Sequence, residues 1–234
     1  MTTQLTLDLP RRTALGREDF FVSDSNAVAV ACIDRWPNWP NAALLLHGEA
    51  SCGKTHLVHV WCERVAATAV SGATLNEDRV AELVASGGYR VAIDDADRAC
   101  ERALLHLYNS CLEGQGSVLM TGRRPPASWI IELDDLGSRL RGAFAVAIER
   151  PDDALLGAVL VKHFTDRQLR VTPEVILYLV KHIERSFAAA ANVAERLDAA
   201  ALRQARAITI PLVREVLGEL QDYSLPWASD SGVT

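Results

Sequence analysis

One stretch limits this chain more than any other: Gly48-Glu49-Ala50-Ser51-Cys52-Gly53-Lys54-Thr55 satisfies the pattern G-x-x-x-x-G-K-[ST] in full. It follows the apolar run Ala43-Leu44-Leu45-Leu46 and precedes a segment, 54–66, whose apolar residues recur at helical spacing. A strand, a glycine-bearing turn and a helix in that order form the setting in which such a loop can cradle phosphates. Gly48 and Gly53 let the backbone curl so that successive N–H groups face an anion, and the amino end of the helix adds partial positive charge. Lys54 is expected to reach the β and γ phosphates, and the Thr55 hydroxyl to face magnesium. The flanking strand and helix make a chance glycine-rich turn the poorer explanation.

From about Ala43 to Ile148, short apolar runs bounded by Gly or Asp alternate with helical segments, which predicts an α/β layer with a parallel sheet flanked by helices. Strands are expected at 43–46, weakly at 69–70, and at 91–93, 118–120 and 145–148; helices are expected at 54–66, 77–85 and 98–112. After Pro151 the strand-like runs stop. Four helices, roughly 152–167, 173–184, 186–204 and 211–220, would make a small all-α domain, with Thr172 as N-cap before Pro173. The division expected is a base over 13–150, a helical domain over 151–222, a short peptide over 1–12 and a fraying tail over 223–234. Trp36-Pro37-Asn38-Trp39-Pro40 reads as a rigid aromatic turn that packs rather than binds.

A net charge of −6 leaves no overall basic field for a phosphate backbone, so direct sequence-specific DNA binding is not expected. The five cysteines, Cys32, Cys52, Cys62, Cys100 and Cys111, are scattered and contain no C-x-x-C pair, as reduced thiols of a cytoplasmic chain would be. The first twenty residues lack a basic n-region followed by an apolar h-region, and no later stretch has eighteen uninterrupted apolar residues, so neither export nor membrane spanning is expected. The six histidines give no metal-binding pair with a third ligand.

An acidic pair closes the third apolar strand, Val91-Ala92-Ile93-Asp94-Asp95. Asp94 is expected to organise magnesium together with Thr55, and Asp95 to orient or polarise an attacking water, although an Asp reaches less far there than a Glu. Asp97 reads as the cap of a helix starting near Arg98.

These signals together resemble the AAA+ module of the bacterial replication initiator DnaA and, more closely, the shorter Hda family of regulatory inactivators of DnaA. The resemblance covers nearly the whole chain. Glu18-Asp19-Phe20-Phe21-Val22, followed by Ser25-Asn26, looks like the segment that lies against adenine in that family. Val118-Leu119-Met120-Thr121-Gly122-Arg123 is similar to the sensor I strand, and Leu136-Gly137-Ser138-Arg139-Leu140 to the box VII segment that carries an arginine finger. The resemblance implies an AAA+ P-loop NTPase base followed by a helical lid. It also implies an ADP or ATP site formed by 48–55, His56, Phe21, Val22 and Arg185, with magnesium on Thr55 and Asp94. Arg139 would act in trans on a neighbour's γ phosphate, with Arg141 the nearest rival; a surface ion pair with Asp134 or Asp135 is the plainer alternative. Supplied fingers accelerate phosphoryl transfer by about a thousandfold or more.

Two departures stand out. Sensor I shows Gly122-Arg123 where a polar or acidic residue is common, which implies weak intrinsic hydrolysis. Sensor II falls on Arg185 or, in another register, on Ala188, which would let the site hold diphosphate as well as triphosphate.

Gln4-Leu5-Thr6-Leu7-Asp8-Leu9-Pro10 alternates leucine with polar residues, as an edge strand would. It also resembles the peptide by which Hda-like proteins dock on the DNA polymerase sliding clamp, its β subunit. Gln4 would occupy a polar pocket, and Leu7 and Leu9, assisted by Leu5, an apolar groove. The reading that results is a clamp-tethered regulator that promotes hydrolysis of DnaA-bound ATP and restrains initiation, with a homodimer possible. No origin-recognition domain follows the lid in this sequence, so origin binding by the chain alone is not expected. A self-contained ATPase that loads a helicase or remodels proteins is the alternative, and a nucleic-acid-binding accessory protein a third.

Overall fold

The computed structural model describes residues 21–222, which fall into two compact units that meet in sequence between Asp152 and Asp153. The peptide with Gln4, Leu5, Leu7 and Leu9, the residues Glu18-Asp19-Phe20 and the tail 223–234 lie outside the described residues.

The first unit is a five-stranded sheet in the order β2-β3-β4-β1-β5, every pairing parallel. Its strands are β1 Ala43–His47, β2 Thr68–Ser71, β3 Arg90–Asp94, β4 Ser117–Gly122 and β5 Phe144–Ala147. Its helices are α1 Ala27–Asp34, α2 Lys54–Val65, α3 Glu77–Ala85, α4 Glu101–Glu113 and α5 Asp134–Gly142. A strand covered on both faces needs a continuous apolar run, and β1 and β4 supply one each, Ala43-Leu44-Leu45-Leu46 and Val118-Leu119-Met120. Alternation then sorts them: Leu44, Leu46 and Leu119 face a core shared with α1 and α2, while Ala43, Leu45, Val118 and Met120 face a core shared with α3, α4 and α5. After β1 the chain steps to the far edge and works back through β2, β3 and β4, and β5 then lands on the other side of β1. The carboxyl end of β1 therefore lies where the topology reverses, the place where open α/β sheets form a binding crevice.

The expected strands and helices all occur, with ends shifted by a few residues, and the fold is the α/β base expected. The Trp36 to Pro40 turn packs as read: Trp39 stacks on Trp61 with ring centroids 5.2 Å apart, and Trp36 meets the same ring edge-on at 6.4 Å. All five cysteines are free thiols. Burial pushes Cys111 up to about 12 and Cys62 to about 11, which keeps both protonated and unreactive.

The second unit, among the described residues, is four helices: α6 Asp153–Asp166, α7 Pro173–His182, α8 Phe187–Gln204 and α9 Ile210–Asp222. They close on Leu156, Leu160, Phe164, Leu179, Val193, Leu197 and Leu212, all buried. The Ser186 hydroxyl caps α8 by accepting from the Ala189 amide at 3.1 Å. Thr172 occupies the N-cap position of α7 with Pro173 behind it, but its side chain caps no backbone group. It bonds instead to Glu174, whose carboxyl it holds below the ordinary range. No helix among the described residues is long and apolar enough to cross a membrane.

Candidate nucleotide-binding site

The loop between β1 and α2 is shaped by two close approaches. The Gly48 amide donates to the Gly122 carbonyl at 3.2 Å, and a Cβ at position 48 would stand 2.3 Å from the Ile148 carbonyl oxygen, so only glycine fits between the ends of β4 and β5. At Gly53, φ of 104° turns the chain into α2, a conformation that glycine alone takes cheaply. The first amides of α2 have no partner within the helix and point toward the loop, the arrangement that receives anions.

Lys54 is buried, and its ammonium donates to the carbonyls of Gly48 at 2.7 Å and Glu49 at 2.6 Å, with the Cys52 sulfur at 3.7 Å. The Thr55 hydroxyl donates to Asp94 Oδ2 at 2.8 Å. The structure thus brings together the loop lysine, the loop threonine and the first acid of β3, which the sequence had placed forty residues apart along the chain. Thr55 and Asp94 present only hard oxygens, the donor set suited to magnesium, and loop and lysine suit a polyphosphate. His47, at the end of β1, is held below its ordinary value by burial and secondarily by the Lys54 charge.

A residue to which the sequence assigned no role of its own completes this cluster. Thr121, fully buried on β4, donates to Asp94 Oδ1 at 2.6 Å and accepts from the Asp95 amide at 2.9 Å. Both Asp94 oxygens are thereby fixed, one from α2 and one from β4. Its sequence signal was a hydroxyl directly after the apolar run Val118-Leu119-Met120 in the sensor I-like stretch. Asp95 has a left-handed backbone, φ 52°, and its carboxylate lies 4.0 Å from the Arg98 guanidinium. Asp97 corrects the expectation made for it: the segment 96–98 is a short 3-10 turn, α4 begins only at Glu101, and the Asp97 carboxylate accepts from the Arg123 amide at 3.0 Å. Tying β3 to β4 across the sheet end takes precedence over capping a helix.

Of the remaining loop residues, Glu49 pairs through its carboxylate with Arg150, and His56 lies exposed on α2. Ala50 and Ser51 form the exposed crest, Ser51 with φ of 57°. The Phe21 carbonyl accepts from the Asn26 side chain at 3.0 Å, and Val22 is half-buried against the core of α1 and α2. In the second unit, Arg185 pairs with Asp153 at 2.7 Å, just before the Ser186 cap, while Ala188 lies in the first turn of α8.

Arg139 and Arg141 occupy the last turn of α5, with Asp134 and Asp135 in its first, the distribution that a helix dipole favours. Arg139 is exposed, and among the described residues it makes no ion pair with Asp134, Asp135 or any other carboxylate.

Comparison with known proteins separates the two units. Residues 153–217 match the family described as Hda, lid domain. The lid is of the Hda kind. Thermotoga maritima DnaA domain III has a similar structure, with TM-score 0.72 at 15% identity over 86% of this chain and 95% of that one. The replication initiator DnaA bound to AMPPCP and single-stranded DNA superposes with TM-score 0.57 at 17% identity, over 89% of this chain and 64% of its own length. A Thermotoga maritima RuvB structure superposes with TM-score 0.68 at 16% identity, over 90% and 72% of the two chains. At such identities the structures show the fold alone, an AAA+ base with a helical lid. With the Hda lid on that base, the relation to the Hda and DnaA proteins expected from the motifs is borne out.

Proposed function

We propose that this chain is a DnaA-related AAA+ regulator that binds ADP or ATP with magnesium in its own loop and promotes hydrolysis of ATP held by DnaA. The observation that carries the reading is the joining, in one chain, of an Hda lid to a base in which Lys54, Thr55 and Asp94 converge. Arg139 is the residue assigned to the partner's γ phosphate: a planar, permanently charged fork suits developing phosphoryl charge, and this one is exposed. Tethering to the sliding clamp through Gln4, Leu5, Leu7 and Leu9 would raise the local concentration of the regulator near replicating DNA. The chain's own hydrolysis is proposed to be weak, because Asp95 is a short acid drawn toward Arg98 and sensor I lacks its usual side chain. Its bound nucleotide then acts chiefly as a stabilising ligand.

The test is single-turnover hydrolysis of ATP prebound to DnaA, with the clamp loaded on DNA and the full chain added. An acceleration of about a thousandfold is expected, the scale of a supplied arginine. An unchanged rate would contradict the proposal. In parallel, Gln4→Ala with Leu7→Ala should abolish capture on immobilised clamp, and retained capture would remove the tether.

A further inference from the structure

We propose that Glu101 is the positioning residue for Arg139, an inference that rests on the function just assigned to that arginine. Glu101 opens α4, and its carboxylate accepts from the Glu132 amide at 3.0 and 3.1 Å and from the Leu133 amide at 2.8 Å. Leu133 is the N-cap of α5, a position where Ser, Thr, Asp or Asn would ordinarily supply an oxygen to the first free amides. A leucine cannot; the Glu101 carboxylate, 32 positions upstream of Leu133, instead holds the amide of this N-cap residue and the amide before it. Charge-assisted bonds of this kind are short and strong, and a negative group at a helix amino end is further favoured by the dipole.

The rest of α5 shows why the tie matters. Leu136 and Leu140, one turn apart, are buried against Leu104, Leu107 and Tyr108 of α4, which fixes the face that α5 turns inward. Apolar contacts resist sliding along the axis only weakly, since they are non-directional. Glu101 supplies the directional bonds that set that position, and Arg139 is exposed beside the buried stripe of Leu136 and Leu140. Tyr108, seven residues on from Glu101 and so on the same stripe of α4, senses the far end of α5: burial raises its phenol, and the Arg139 charge opposes that rise.

Glu101→Ala in the full chain should slow the stimulated hydrolysis of DnaA-bound ATP by roughly ten- to a hundredfold, the scale of a misplacement of about 1 Å in a reacting group. The loss should fall on the saturated rate rather than on the concentration giving half-maximal stimulation, and the chain's own nucleotide affinity should not change. Glu101→Gln keeps an acceptor oxygen and should restore most of the rate. The double variant Glu101→Ala/Arg139→Ala should be no slower than Arg139→Ala alone. Hydrogen exchange gives a readout independent of catalysis: the Glu132 and Leu133 amides should exchange faster in Glu101→Ala while the amides of β1 and β4 stay protected. Full stimulation by Glu101→Ala, or additive losses in the double variant, would overturn the inference if Arg139→Ala alone is inactive. Full stimulation by Arg139→Ala would overturn the functional reading first, and this inference with it.

Discussion

The carboxyl end of the sheet and the helix α5 use charge in opposite ways. At the sheet, Lys54, Thr55, Asp94 and Thr121 are bonded to the loop and to one another, so every charged group has its geometry set from within the chain. On α5, Arg139 projects into solvent and, among the described residues, meets no carboxylate; what is fixed there is the helix beneath it. The first arrangement suits a ligand that the same chain must hold. The second suits a charge that arrives from another molecule, where a pre-formed internal partner would have to be given up on contact.

On the chain's own nucleotide, the largest effect should come from breaking the sheet side. Lys54→Ala removes a buried ammonium, and loss of one desolvated charged partner costs about 2–5 kcal/mol, so the chain's own nucleotide affinity should fall by about a hundredfold or more. Titration with a fluorescent adenine nucleotide reads this directly, and near-normal affinity would mean that the loop is not the nucleotide site. A smaller effect is expected from Thr121→Val, which keeps the side-chain shape but strips both bonds to the acidic pair. The orphaned Asp95 amide and Asp94 oxygen should lower stability by about 1–3 kcal/mol, seen as a lower denaturant midpoint at unchanged m-value, and Thr121→Ser should recover part of it. An unchanged midpoint would show that the cluster does not depend on β4.

The smallest effect concerns protons and sharpens the contrast, because the sheet side carries a titrating histidine and α5 carries none. Burial holds His47 below its ordinary value of 6.5, with Lys54 acting in the same sense; burial likewise lowers His163 in the lid, aided by Arg167. Both are neutral in the folded chain above that value, and there protons favour neither state. As pH falls below 6.5 the unfolded chain binds protons that the folded chain resists, so stability is lost until the folded values are passed. The thermal midpoint should therefore be flat above about pH 7 and decline toward about pH 5.5. His163→Gln should remove part of the decline, and a slope identical to the parent's would sink that assignment.

What the sequence revealed, and what it hid, follows the range of the forces involved. The loop, the strands and the lid helices are written in local pattern: Gly48 and Gly53 at fixed spacing, unbroken apolar runs in β1 and β4, helical spacing from 153 onward. The helix α1 went unread because Ala-Val-Ala-Val-Ala-Cys-Ile-Asp has no polar stripe; it is apolar nearly all round and imitates a strand. The start of α4 was placed near Arg98 because Asp97 looks like a cap, whereas its partner is an amide 26 positions away on the end of β4. The bonds of Thr121 and Glu101 were invisible for the same reason. Each acts on a backbone group 26 or more positions distant, and no local periodicity announces such a bond. Arg139 could be picked out by its surroundings in sequence, but its freedom from Asp134 and Asp135 emerged only from the folded chain.

The central claim is that one chain holds its own nucleotide at the sheet end and acts on another protein's nucleotide through α5. It is tested most directly by measuring two quantities on the single variant Arg139→Ala: affinity for ADP and ATP, and stimulation of hydrolysis of DnaA-bound ATP in the presence of clamp. The expected result is unchanged affinity together with stimulation reduced by about a thousandfold. Stimulation that survives the substitution, or affinity lost along with it, would contradict the division of labour between the two regions.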